Sequence, residues 1–95
     1  MKNIDVIKAF ANGETKAKTK NLYIEGDKLF NYDTCIAERW LKIDGREYGF
    51  VVNVTKYSVS TTTIQNAILR EISEHLIAKS LVNMPMGVDS LVAED

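Results

Sequence analysis

Glu47-Tyr48-Gly49-Phe50-Val51-Val52-Asn53-Val54 is the stretch on which the fold turns. Tyr48, Phe50, Val52 and Val54 alternate with Glu47, Gly49, Val51 and Asn53, giving one apolar face and one mixed face. That period of two is the mark of a strand with one side in a core. Asp44-Gly45 just upstream is a tight-hairpin signal, so residues 35–43 read as the partner strand. The partner alternates less cleanly, because Arg39 interrupts Cys35, Ala37, Leu41 and Ile43. A bulge or an edge position accounts for such an interruption. Further upstream, residues 21–25 and 28–32 flank Gly26-Asp27, which predicts a second hairpin. Residues 14–20 have no strong period and read as a loop.

Helices bracket this β-rich middle. Over residues 3–12, Ile4, Ile7, Phe10 and Ala11 share one face, with Asn3 as the expected N-cap and Asp5 complementing the dipole. Gly13 supplies the left-handed position that closes a helix. Ile64, Ile68, Ile72 and Leu76 recur every fourth residue and predict a long helix over 62–82. Thr62 with Gln65 three residues on reads as its capping box. Met84-Pro85-Met86-Gly87 ends it.

The order α-β-β-β-β-α predicts an α+β domain: a four-stranded antiparallel meander with a short N-terminal helix and a long C-terminal helix packed on one face. Residues 1–83 form that single domain, and 84–95 an acidic C-terminal tail. The tail is expected to be mobile, with Val88, Leu91 and Val92 available to dock on a partner.

Composition narrows the function classes. With 45% hydrophobic and 26% charged residues, the 95-residue chain is not of the disordered type. A domain of this size buries a modest fraction of its surface, and homo-oligomerisation would add burial. Twelve basic and 13 acidic residues give a net charge of -1, which argues against a protein that coats nucleic acid. The basic residues are nonetheless dense early on, at Lys16, Lys18, Lys20 and Lys28, where a local patch can exist. The opening Met1-Lys2-Asn3-Ile4-Asp5 lacks a signal peptide's apolar core, and no run of residues is long and apolar enough for a bilayer. A cytoplasmic protein with no membrane association is expected.

Chemistry is harder to find. One cysteine, Cys35, and one histidine, His75, are too few for a thiolate or histidine metal site. A Cys35–His75 pair is unmarked by any flanking motif, and a small core thiol with a helix-surface histidine is the simpler reading. Carboxylates such as Asp33 and Glu38 carry no spacing that singles them out. There is no Gly-rich phosphate loop and no dinucleotide fingerprint. No catalytic residue, metal or cofactor is therefore expected.

Two places suggest binding instead. Lys56, Tyr57, Ser58, Thr61, Thr62 and Thr63 cluster between a strand end and a helix start, where unpaired N–H groups and the dipole attract anions. That constellation is a candidate ligand site for a phosphate or nucleotide, although the same hydroxyls also suit capping and turn formation. Arg39 and Trp40 are the candidate protein interface. As strand neighbours they point to opposite faces, and an outward Trp40, sharing its side with Ile36, would anchor a partner.

The segment from Leu29 through Asn31-Tyr32-Asp33-Thr34-Cys35-Ile36-Ala37 to Glu38, and that from Val52 through Asn53-Val54-Thr55-Lys56-Tyr57-Ser58 to Thr62, resemble a family of small uncharacterised proteins of phages and mobile elements. The family shows L-x-S-Y-x-T-x-I-A and N-x-T-K-Y-S-x-T-T, after a turn that here is Asn12-Gly13-Glu14-Thr15. The resemblance spans roughly residues 7–70 and departs at Asn31, where the family has Ser, and at Ser60, where it tends to have Thr. It implies a phage-type binding protein in the host cytoplasm that inhibits a host defence system. Such a protein acts either by binding a host defence protein or by sequestering a nucleotide signal. The alternative is a nucleic-acid-binding accessory or regulatory protein using Lys16, Lys18, Lys20 and Lys28.

Overall fold

The computed structural model describes residues 2–41, 48–74 and 78–91; the side chains of Trp40, Leu41, Tyr48, Glu74, Ala78 and Lys79 are also outside the description. The Asp44-Gly45 turn, His75, Leu76 and Val92 therefore lie outside the described residues. Helix α1 (Asn3–Ala11) is followed by strands β1 (Leu22–Glu25), β2 (Lys28–Asn31), β3 (Thr34–Leu41) and β4 (Tyr48–Asn53), helix α2 (Val59–Glu74) and strand β5 (Ala78–Val82). The class is α+β, as the sequence predicts, but the sheet has five strands in the order β1-β2-β3-β4-β5. Strands β1 to β4 form the antiparallel meander, whereas β5 lies parallel to β4.

The long C-terminal helix expected over 62–82 thus gives way at Glu74 to a strand. Ile64, Ile68 and Ile72 are buried as the four-residue period requires. Past them the pattern is a short apolar run, which a helix and a strand fit equally well. The exposed edge of β4 decides the matter by offering a ladder: Gly49 pairs with Ala78, Val51 with Ser80, and Asn53 with Val82. The Val54 N–H continues it to the Val82 carbonyl at 2.8 Å.

The start of α1 is also shifted by one. Lys2 is its N-cap, and the Lys2 N–H donates to the Asp5 carboxylate at 2.9 Å. Asn3, already inside the helix, accepts from the Thr19 hydroxyl at 2.6 Å. Closure is as expected. Gly13 at φ +90° lets its N–H reach the Phe10 carbonyl while the Glu14 N–H reaches that of Ala9, a Schellman motif.

A bulge sits in β3, and β3 is central in the sheet rather than at an edge. Leu29 pairs with Ala37 and Phe30 with Cys35, so Ile36 has no counterpart on β2. The extra residue changes the phase of alternation. Ile36 and Ala37 both join the core under the two helices, whereas Cys35 falls in a second cluster on the other side with Phe30 and Leu91. The main core unites Val6, Ile7 and Phe10 of α1 with Ile64, Ile68 and Ile72 of α2 over Leu22, Leu29, Phe50 and Val52.

The second cluster is roofed by residues 84–91, which the sequence reading assigns to a mobile tail. They are tied down at several points. Cys35 N–H donates to the Val88 carbonyl at 2.7 Å, Gly87 N–H to the Thr34 hydroxyl at 2.9 Å, and Leu91 N–H to Glu38 at 2.9 Å. Leu91 is buried. The Cys35 backbone, beyond the last β3–β4 pair, and an apolar patch that the helices leave uncovered together order this segment.

Candidate functional site

The start of α2 sits against the turn between β2 and β3. Its cap is Ser58, four residues before the Thr62–Gln65 box that the sequence suggests: the Ser58 hydroxyl accepts the Thr61 N–H at 3.2 Å. Thr62 and Thr63 instead donate back along the helix to the Ser58 and Val59 carbonyls. Gln65 is buried, and its amide donates to the Asn53 carbonyl at 2.6 Å and the Thr55 carbonyl at 3.0 Å. It fastens the helix to the end of β4.

Thr61 links the helix to the sheet. Its hydroxyl accepts from Asn31 at 3.1 Å, and Asn31 in turn accepts from Asn21 at 3.1 Å. Between these groups and the β2–β3 turn lies a cleft of about 430 Å³, lined by Asn21, Asn31, Tyr32, Asp33, Thr34, Tyr57, Ser58, Ser60, Thr61, Ile64 and Met86. Two large lining side chains are exposed, Tyr32 at 68% and Met86 at 70%, and Val59, between the lining residues Ser58 and Ser60, is 86% exposed.

Tyr32 occupies an unusual conformation. The hairpin between β2 and β3 has Tyr32 and Asp33 at its tip, and Tyr32 has φ +56°. A left-handed backbone at a bulky aromatic residue costs about 1–2 kcal/mol where glycine would cost nothing. The Tyr32 N–H donates to the Asn21 carbonyl at 2.8 Å, which holds the turn against the neighbouring segment.

Of the six predicted ligand residues, Tyr57, Ser58 and Thr61 line the cleft, whereas Lys56, Thr62 and Thr63 do not. Tyr57 is engaged: its hydroxyl accepts from Asn53 at 2.7 Å and donates to the Met84 carbonyl. Among the described residues, Asp33 is the one charged group of the lining, so a phosphate there would meet a carboxylate rather than a lysine. The Thr61 and Thr62 N–H groups are taken by Ser58. This arrangement favours neutral or cationic groups over anions. Among the lining residues that sequence reasoning misses are Tyr32, Asn21, Asn31 and Met86. A polar Asn31-Tyr32-Asp33-Thr34 stretch between apolar pairs is the turn signal that could have found two of them.

No protein-family model, no curated protein and no solved structure matches this chain.

The proposed Arg39–Trp40 interface divides. Arg39 is 4% exposed, and its guanidinium faces the interior, so it is not a surface anchor. Ile36, its expected exposed companion on the Trp40 side, is fully buried under the helices. The Trp40 backbone pairs with Gly49, and its side chain lies outside the described residues.

Among the described residues, no group of three His, Cys, Asp or Glu is placed to hold a metal ion, and no helix is long and apolar enough to cross a membrane. Glu38, one of the carboxylates considered above, accepts from Ser90 and Leu91. Cys35 has no exposure, and its thiol is pushed up from about 9 to about 12, chiefly by burial and then by the negative charge of Glu38. The thiol is thus held protonated, the opposite of an activated nucleophile.

Two outcomes follow from the Cys35 environment. The thiol should resist a disulfide reagent at pH 8 in the folded protein and react at once in denaturant. The folded chain also keeps a proton that the unfolded chain loses above about pH 9, so this group's contribution to stability, complete below pH 9, should decline from pH 9 towards 12. Denaturant melts across that range, compared with those of Cys35→Ala, check it.

Proposed function

We propose that this chain is a non-catalytic binding protein that occupies a protein partner through the lip of the α2–hairpin cleft, with Tyr32 as the anchor. The observation behind this reading is an exposed aromatic side chain held at φ +56°. A small domain has only some 5–15 kcal/mol of net stability, so a strained residue is retained more readily where it serves a contact. Tyrosine is among the residues most enriched at interface hot spots. Exposed Met86 in the lining and exposed Val59 between Ser58 and Ser60 add apolar surface, and Asp33 with the Asn21–Asn31 pair offers acceptors to a basic or amide-bearing segment of the partner. A partner of the host defence type is the class that the resemblance to small phage proteins implies. The nucleotide-sequestering version is less well supported, because Lys56 stands outside the cleft.

Replacing Tyr32 by glycine separates structure from binding. Tyr32→Gly relieves the left-handed strain and should raise stability by roughly 0.5–1 kcal/mol after glycine's entropic cost. Affinity capture from host-cell extract with the wild-type chain, Tyr32→Gly and Val59→Asp should yield a partner with the first and lose it with both variants. A Tyr32→Gly protein that melts higher yet retains the same partner would remove this surface from the reading.

A further inference from the structure

The segment before β1 is an extended comb of lysines. Thr19 N–H donates to the Leu22 carbonyl at 2.7 Å, Ile24 N–H to the Ala17 carbonyl at 2.9 Å, and Lys18 bridges Tyr23 in antiparallel register. The Thr19 hydroxyl also accepts the Leu22 N–H and donates to Asn3 of α1, so the segment is fixed from both sides. Ala17 and Thr19 are half-buried, whereas Lys16, Lys18 and Lys20 are exposed. An extended chain places such alternate residues on one side about 6.5 Å apart. The three lysines line a groove of about 760 Å³ together with Tyr23 and Ile24, and no acidic residue lines it among the described residues. Tyr23 is stacked on Phe30, with ring centres 5.2 Å apart and planes 10° from parallel. Lys28 does not belong to this surface: it pairs across the sheet with Glu25 and Glu38.

We infer that this groove binds single-stranded nucleic acid, the lysines following successive phosphates and Tyr23 supporting an unpaired base. The surface is separate from the Tyr32 cleft, and the inference goes beyond the binding role assigned there. The chain's net charge of -1 sets no obstacle, because phosphate contacts depend on the local comb. Single strands are favoured over duplex for two reasons. The comb is short, and an aromatic platform reaches only bases that are not already stacked in a helix. A rigid tyrosine backed by a second ring has little freedom left to lose on stacking.

The test is fluorescence anisotropy of labelled oligothymidylate and oligouridylate with the full chain, titrated from about 50 to 200 mM KCl. Three phosphate contacts on a single strand give a log–log salt slope of about -2, an affinity loss of roughly 20-fold over that range. Lys16→Gln/Lys18→Gln/Lys20→Gln should flatten the slope, and the corresponding arginine variant should restore it. Tyr23→Leu should weaken binding about 5-fold or more while leaving the slope unchanged. Equal affinity for duplex, a salt-independent signal, or binding confined to anionic lipid vesicles would overturn the inference. So would a triple glutamine variant that aggregates but binds oligonucleotide as before, since the lysines would then serve only to guard a sheet edge.

Discussion

Arg39→Met is expected to destabilise the domain by about 3–5 kcal/mol, because it removes two charge-assisted hydrogen bonds to backbone carbonyls and leaves the buried Phe10 carbonyl without that donor. For a chain of this length, that corresponds to a fall in Tm of roughly 15 °C or more. The guanidinium donates to the Phe10 carbonyl at 2.6 Å, to the Gly26 carbonyl and to Asp27 at 3.3 Å, and it lies 4.7 Å from the centre of the Phe10 ring. It therefore ties three pieces together: the C-terminal end of α1, the β1–β2 turn and the middle of β3. A cation at a helix C-terminus also interacts favourably with the dipole. Arg39→Lys keeps the charge but not the fork, and should recover only part of the loss. Asp27→Asn should cost less than about 1 kcal/mol, because the carboxylate is 68% exposed and well screened. Thermal melts of the three variants give the ranking; a methionine variant as stable as wild type would show that the staple contributes nothing.

Arg39 also shows where the sequence stops being legible. A bulge is present opposite Leu29 and Phe30, but it displaces Cys35; Arg39 keeps the face of Ala37 and interrupts the alternation as a buried charge. Alternation cannot say which residues the bulge moves to which face. By phase alone Arg39 shares a side with Cys35, yet the two end in different environments, the arginine under the helices and the thiol in the second cluster. The α+β class, the meander of β1 to β4, the Gly26-Asp27 turn and the Gly13 closure were readable because each is specified within a few residues. Strand β5 was not, since its pairing with β4 is a contact between segments some 30 residues apart, and such contacts override weak local preference. The candidate site was half legible. Tyr57, Ser58 and Thr61 were found because hydroxyls cluster at a helix start, but Tyr32 and Met86 reach the cleft only through the hairpin tip and the docked 84–91 segment.

Asn53→Leu should cost about 3 kcal/mol, and its effects should reach the cleft from a distance. Asn53 has no exposure, and all three of its side-chain hydrogen bonds are internal: to the Cys35 carbonyl at 3.2 Å, to the Tyr57 hydroxyl at 2.7 Å and from the Thr55 N–H at 3.1 Å. Loss of about 1 kcal/mol per bond gives the total, and a fall in Tm of about 15 °C. Tyr57 in turn holds the Met84 carbonyl, and Thr55 accepts the Met84 N–H at 2.7 Å. The leucine variant should therefore lose amide-exchange protection first at Gly87 and Leu91, in the segment that carries Met86 to the lip of the cleft. Tyr57→Phe should show the same local loosening at smaller cost, with a coupling energy to Asn53 of about 0.5 kcal/mol or more in a double-mutant cycle. Asn53→Asp adds a sharper test. It removes both donated bonds and buries a carboxylate, whose folded-state pKa must rise above its unfolded value of about 3.9. Unlike the wild type, this variant should gain stability as the pH falls from 7 towards 4, because protonation neutralises the buried charge and restores a donor. If Asn53→Asp melted like the wild type at pH 7, the side chain would have to lie in water, and the polar tether between β4 and the 84–91 segment would be refuted.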